Sequence, residues 1–115
     1  MLTINSLEEM KPYYNENTNT YEFIENSIPI DVHFTFSIDI KSNIKAGDIN
    51  ARDINAWDIN ARNIDAWDIS FYAICGAYQT LKCKSIEGRR KNAKYFCLDN
   101  EVEFIKQDTK IGEKR

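Results

Sequence analysis

Aspartate recurs every five residues at Asp48, Asp53 and Asp58, gives way to Asn63 in the next place and returns at Asp68. Carboxylates at fixed spacing can present a repeating negative charge to a partner, so these four aspartates are candidate protein-contact residues. In the place before each, Arg52 and Arg62 alternate with Trp57 and Trp67. Exposed tryptophan beside arginine is the composition of binding hot spots, which makes this alternating row the leading candidate contact surface. A second group, Lys82, Lys84, Arg89, Arg90, Lys91 and Lys94, followed by Tyr95 and Phe96, could hold a phosphate backbone, with Glu87 interrupting it.

Cys75, Cys83 and Cys97 with His33 offer the ligand types of a Cys₃His zinc site, but without the Cys-x-x-Cys spacing of a zinc knuckle. Small buried cysteines that merely fill an interior are the alternative, and no cofactor is expected. Catalytic equipment is sparse. One histidine, no glycine-rich phosphate loop, no Gly-x-Ser-x-Gly elbow and carboxylates set in an array rather than converging all point away from an enzyme.

These residues must be positioned by a small scaffold. At 115 residues and 43% apolar the chain suits one domain, and a net charge of −3 gives no global case for binding nucleic acid or an anionic membrane. The start, Met1-Leu2-Thr3-Ile4-Asn5, lacks the features of a signal peptide, and no stretch approaches a spanning helix. An odd number of cysteines then fits reduced thiols, so a soluble cytoplasmic protein is expected.

The scaffold is announced by isoleucine. Ile49, Ile54, Ile59, Ile64 and Ile69 recur every five residues, and the frame extends to Ile44 before and Ile74 after. Five residues of helix rotate about 140° beyond the last full turn, so these side chains would scatter around a helical cylinder. In one long strand an odd spacing would throw them onto alternate faces. A chain that turns at a corner every five residues points each isoleucine into a common interior, with Asx residues bonding backbone near the corners. The expected fold is therefore mainly β, a small β-solenoid.

The centres Asp53-Ile54-Asn55 and Asp58-Ile59-Asn60 resemble the pentapeptide-repeat family over about residues 37–76. That resemblance implies a right-handed, four-sided β-helix. It also implies a function, because family members that protect DNA gyrase use acidic rows to imitate duplex DNA. The departure is the small residue, which the family places two before the large one. Here that place holds Gly47, Arg52, Trp57, Arg62 and Trp67, and alanine falls two after, so an inward pair of Ile then Ala, or a coil of another shape, is required. A coil of twenty residues sets Asp48 over Asp68. One of fifteen sets Arg52 against Trp67 and Trp57 against Tyr72, while one of ten stacks Arg52 on Arg62; the three remain open.

The flanks read as caps. Ser6-Leu7-Glu8-Glu9 has capping-box form and predicts a short N-terminal helix ending near Pro12; Tyr14 to Thr20 reads as loop; Val32 to Ile40 alternates like one strand. These make up a cap and lead-in over 1–36, followed by the solenoid over 37–76. Over 77–105 come strand-like Tyr78 to Ile86, a basic turn at 88–92, and a hairpin of Lys94–Leu98 with Glu101–Ile105; a charged tail spans 106–115. The expected function is a non-catalytic interaction module with a protein partner. A phage-encoded or mobile-element inhibitor of DNA-mimic or anti-CRISPR type, acting on a host nucleic-acid enzyme, suits that design. A self-assembling solenoid, with the chain as a homo-oligomer, and nucleic-acid binding through the basic turn are the alternatives.

Overall fold

A chain that buries an isoleucine every five residues has to turn between them, and the computed structural model, which describes residues 2–105, shows the turns. β1 (Leu2–Ile4) leads to a single-turn helix α1 (Leu7–Met10), continued by a 3-10 turn over Lys11–Tyr13. Short strands follow: β2 (Tyr14–Asn15), β3 (Thr20–Glu22), β4 (Ile24–Glu25), β5 (Ile28–Pro29), β6 (Val32–Phe34), β7 (Ile38–Asp39), β8 (Asn43–Lys45), β9 (Asp48–Asn50) and β10 (Ile54–Asn55). Then come β11 (Ile59–Asp65), β12 (Asp68–Phe71), β13 (Ile74–Cys83), β14 (Ser85–Gly88), β15 (Lys94–Cys97) and β16 (Glu103–Phe104). Together they wind a β-solenoid of about four turns with one short helix near its N-terminal end. No helix among the described residues is long and apolar enough to cross a membrane.

The coil has three sides. Side one stacks β3, β8, the first half of β11, the first half of β13 and β15 in parallel register. Side two stacks β1, β6, β9, the second halves of β11 and β13, and β16. Side three stacks β7, β10, β12 and β14. In the repeat, Ile44 lies beside Ile59, Ile49 beside Ile64 and Ile54 beside Ile69, each pair fifteen residues apart. Five residues make one side, and three sides close the coil. Of the three coil lengths the sequence leaves open, fifteen is adopted, so the four-sided geometry implied by the pentapeptide-repeat resemblance does not apply.

Alternation along each short strand explains the displaced alanine. Ile44, Ile49, Ile54, Ile59, Ile64 and Ile69 are at most 2% exposed, and Ala46, Ala51, Ala56, Ala61 and Ala66 at most 7%. Residues two apart share a strand face, so isoleucine and the alanine after it both point inward and the Asx residues point out. Burying each isoleucine contributes about 1.5–3 kcal/mol. Arginine and tryptophan fall at the corners, outside the core, and need no burial. The frame slips first at Cys75 and again before Thr80, where Ile64 pairs with Leu81: Ile59 pairs with Cys75 rather than Ile74, so Cys75 is fully buried and Ile74, expected inside, is 48% exposed. One added residue between Ile69 and Cys75 is enough to exchange inside for outside.

Several flanking expectations are revised by the same corner logic. The stretch Val32 to Ile40 is not one strand; β6 and β7 lie on two different sides of the coil. Tyr14 to Thr20 is tied down, because β2 pairs antiparallel with β3, and Asn19, at φ 52°, takes the left-handed turn position and binds Tyr14 and Ser42 through its side-chain oxygen. Tyr78 to Ile86 divides into the end of β13 and the start of β14. No hairpin joins β15 to β16: both pair in parallel with β13, as successive sides of a further coil. The charged tail lies outside the described residues.

The two ends differ. At the N-terminal end Met10, Phe23 and Phe34 are buried, and Phe23 sits 4.9 Å from the Tyr13 ring and 5.6 Å from that of Phe34. In the last described coil, Tyr95 beside Cys75 and Phe104 beside Cys83 face inward yet are 43% and 50% exposed, since no described residue covers them.

Candidate interaction surface

A five-residue step moves one third of the way around the coil, so residues adjacent in the repeat are dealt to three different places. The Arg52/Trp57/Arg62/Trp67 row is therefore not a row. Trp57 and Tyr72 occupy the edge between sides three and one, where each backbone N–H bonds the carbonyl of the coil before it, Trp57 to Ser42 and Tyr72 to Trp57. Gly47 and Arg62 lie on the edge between sides one and two, and Arg52, Trp67 and Lys84 on the edge between sides two and three.

The aspartates are dealt in the same way. Asp48 lies on side two, Asp58 on side one, and only Asp53 and Asp68 share side three, so the continuous acidic row that imitation of duplex DNA requires is not formed. Asx side-chain oxygens, of these aspartates and of Asp31 and Asn43, instead hold neighbouring coils together. Asp31 accepts the Asp48 N–H at 2.9 Å, Asn43 the Asp58 N–H at 3.0 Å, and Asp58 the Ile74 N–H at 3.1 Å. The expected Asx bonding to backbone is present, but it runs between coils rather than within a corner. Asn63 breaks the aspartate series for a reason visible here: its amide donates to Asp48 Oδ1 at 2.9 Å while its carbonyl oxygen accepts from Thr80 at 2.7 Å. A carboxylate in that place could not donate, and would set like charges on adjacent rungs.

On the Gly47 edge, Arg62 donates from Nε to Asp48 and from Nη2 to Asp31, both at 3.0 Å, and its hydrogen bond to Asp48 raises its already high pKa further. A Cβ on Gly47 would stand 2.7 Å from Asp31 Oδ1, so the glycine is what admits this carboxylate. The cleft beside it, lined by Leu2, Tyr13, Glu25, Ile30, Asp31 and Arg62, holds the paired Asp31 and Arg62 and a further carboxylate, Glu25.

The basic group does not form one patch either. Lys82 is on side two between Asp65 and Glu103, and Lys84 places Nζ 4.2 Å from the Trp67 ring. Arg89 folds along side three, donating to Asn55 at 2.6 Å, Ser70 at 2.8 Å and the Ala56 carbonyl at 2.9 Å. Only Arg90, whose N–H bonds the Tyr72 carbonyl, with Lys91 and Lys94, gathers near one edge.

The proposed zinc ligands are separated. His33, on side two near the N-terminal end, binds Asn50 through Nδ1 at 3.0 Å, whereas Cys75 and Cys83 face the interior, and no three His, Cys, Asp or Glu side chains converge among the described residues. Burial pushes the Cys75 thiol up to about 12, with Cys83 adding to the shift, and pushes Cys83 up to about 11, with Asp68 adding. Both thiols therefore keep their protons in the folded interior at neutral pH. Cys97 is partly exposed and its Sγ lies 3.2 Å from the Gln79 carbonyl.

What the coil does assemble is apolar. Trp57 and Tyr72 stand 5.9 Å apart on one edge of side one, both over 40% exposed. Ile74 and Phe96 project from side one itself, and Tyr78 and Leu98, 50% and 65% exposed, occupy its other edge. Phe96 lies across Gly76, where an added Cβ would meet the ring at 2.5 Å; the missing side chain lets the ring lie flat. Sides two and three carry only polar outward residues along their strands, such as Asn50, Asn63 and Asp65 on one and Asn55, Asp68 and Ser70 on the other. Of the six apolar residues, the repeat signals only Trp57 directly, and Tyr72 through the fifteen-residue stacking option. Ile74 is masked by the frame slip, and Tyr78, Phe96 and Leu98 lie beyond the repeat. No family model matches the chain, and comparison with curated proteins and with solved structures returns no match.

Proposed function

We propose that this protein is a non-catalytic interaction module that docks a protein partner on side one and its two edges. The observation that supports the reading is the segregation of Trp57, Tyr72, Ile74, Tyr78, Phe96 and Leu98 onto one side of a three-sided rod whose other sides are polar. Aromatic and aliphatic side chains held on a rigid parallel sheet lose little entropy when covered, which is what a contact surface requires. Capture from a lysate of the source cells tests it. The wild type is expected to retain a partner that Tyr72→Ala/Ile74→Asp loses and Trp67→Ala keeps; equal retention by all three overturns the reading.

Self-association is the second reading, favoured by Tyr95 and Phe104, which at one end face inward without a cover among the described residues. Because the other end is closed over Met10 and Phe23, contact through the open end joins two copies and stops. Light scattering over a concentration series distinguishes a dimer from growing assemblies.

A further inference from the structure

We infer that the partner meets side one with an acidic segment, its carboxylates toward the Trp57/Tyr72 edge and its apolar anchors toward Ile74 and Phe96. This rests on side one being the contact surface, as proposed above. The charges around that surface are unequal in sign and in availability. Arg90 continues the Trp57–Tyr72 column by a backbone bond of 2.9 Å, Lys94 stands beside Ile74 in register, and Lys91 lies in the turn between them. Two coils before Ile74 on the same side, Lys45 is exposed between Asn60 and Glu22, which stands beside it in register. None of these four cations makes an ion pair among the described residues, unlike Arg62, which is held by two aspartates.

The acids facing the same surface lie mostly away from the margin that Arg90, Lys91 and Lys94 border. Asp58 accepts the Ile74 N–H, Glu22 accepts from Asn15 at 3.4 Å near the N-terminal end, and Asp99 and Glu101 lie past the opposite edge. A chain with an overall charge of −3 thus presents a locally cationic border along one margin of its apolar surface, and that border attracts carboxylates while repelling basic segments. Phosphates of a single-stranded nucleic acid share that attraction, but aliphatic Ile74 and Leu98 interrupt the stacking faces that Phe96 and Tyr78 offer. Trp57 and Tyr72 also lean on each other at 5.9 Å with 37° between rings, which leaves no room for a base between them.

Selection of a random-peptide phage library on the full chain, counter-selected on Tyr72→Ala/Ile74→Asp, tests the inference. Both changed side chains are exposed, and circular dichroism verifies that the variant keeps its strand signal. Enriched peptides are expected to be net negative with aromatic or aliphatic anchors. Synthetic copies should associate about tenfold more slowly with Arg90→Glu/Lys94→Glu and at high salt. Enrichment of neutral or basic peptides, or rates indifferent to both changes, overturns the acidic partner while leaving side one as a contact surface. Absence of enrichment over the counter-selection variant overturns both. Binding of fluorescent oligo(dT) that Arg90→Glu/Lys94→Glu abolishes would replace the protein segment with nucleic acid.

Discussion

Trp57 and Trp67 stand ten residues apart in the same repeat place and are almost equally exposed, at 41% and 42%, yet they sit in opposite surroundings. Trp67 lies between two cations, with Arg52 Cζ 4.7 Å from its ring and Lys84 Nζ at 4.2 Å, so its faces are already occupied. Trp57 leans on Tyr72 and continues onto the apolar side one. Equal exposure therefore conceals unequal availability. One edge has its ring faces covered within the molecule, and the other continues into exposed apolar surface.

Both edges hang on the isoleucine interior, so the largest effect should come from there. Ile64→Ala, at a fully buried site, is expected to cost about 2–5 kcal/mol in chemical denaturation, whereas Ile74→Ala, which continues the same five-residue frame, should stay within about 0.5 kcal/mol. Comparable losses at both sites would mean that the frame does not slip at Cys75. Next in size, Tyr72→Ala should weaken partner binding by about 2 kcal/mol in a titration, while Trp67→Ala leaves binding unchanged; reversal of that order would exchange the roles of the two edges.

The interior thiols, Cys75 on side one and Cys83 at the end of side two, give an effect of intermediate size. A folded-state value raised to about 12 for Cys75 and about 11 for Cys83 keeps both protonated where unfolded thiols, near 9, ionise. The folded state then binds more protons, so the contribution of these thiols is complete below pH 9 and is lost as pH rises toward 11–12. Denaturation at pH 10 should show a loss on the order of 1 kcal/mol relative to pH 8, reduced in Cys75→Ala/Cys83→Ala. The smallest effect belongs to the closed edge. Arg52→Ala and Trp67→Ala should show a coupling of about 0.5–1 kcal/mol in a double-mutant stability cycle, and Arg52→Ala with Trp57→Ala none.

Much of the scaffold was legible because five-residue spacing has few solutions. The recurrence of isoleucine excludes a helix stripe and a single strand, and the alanine two places later predicts an inward Ile–Ala pair that the coil adopts. The candidate surface was legible in part: the Arg52–Trp67 and Trp57–Tyr72 contacts follow from the fifteen-residue option. Hidden from the sequence were the slip at Cys75, which turns Ile74 outward, and the parallel docking of β15 and β16, whose intervening Asp99-Asn100 imitates a hairpin turn. Turn residues look alike at a hairpin and at a solenoid corner, because both need only a local change of direction.

By itself, then, the sequence determined that this chain turns every five residues around an aliphatic interior, since hydrophobic periodicity is local and written in consecutive residues. Only the tertiary structure decided how many turns close a coil, and with that which residues become neighbours. Closure in fifteen residues rather than ten or twenty is settled by packing across the interior; it scatters the Asp and Arg/Trp rows around the coil and sets Tyr72 beside Trp57, while the slip at Cys75 and the parallel docking of β15 add Ile74 and Phe96.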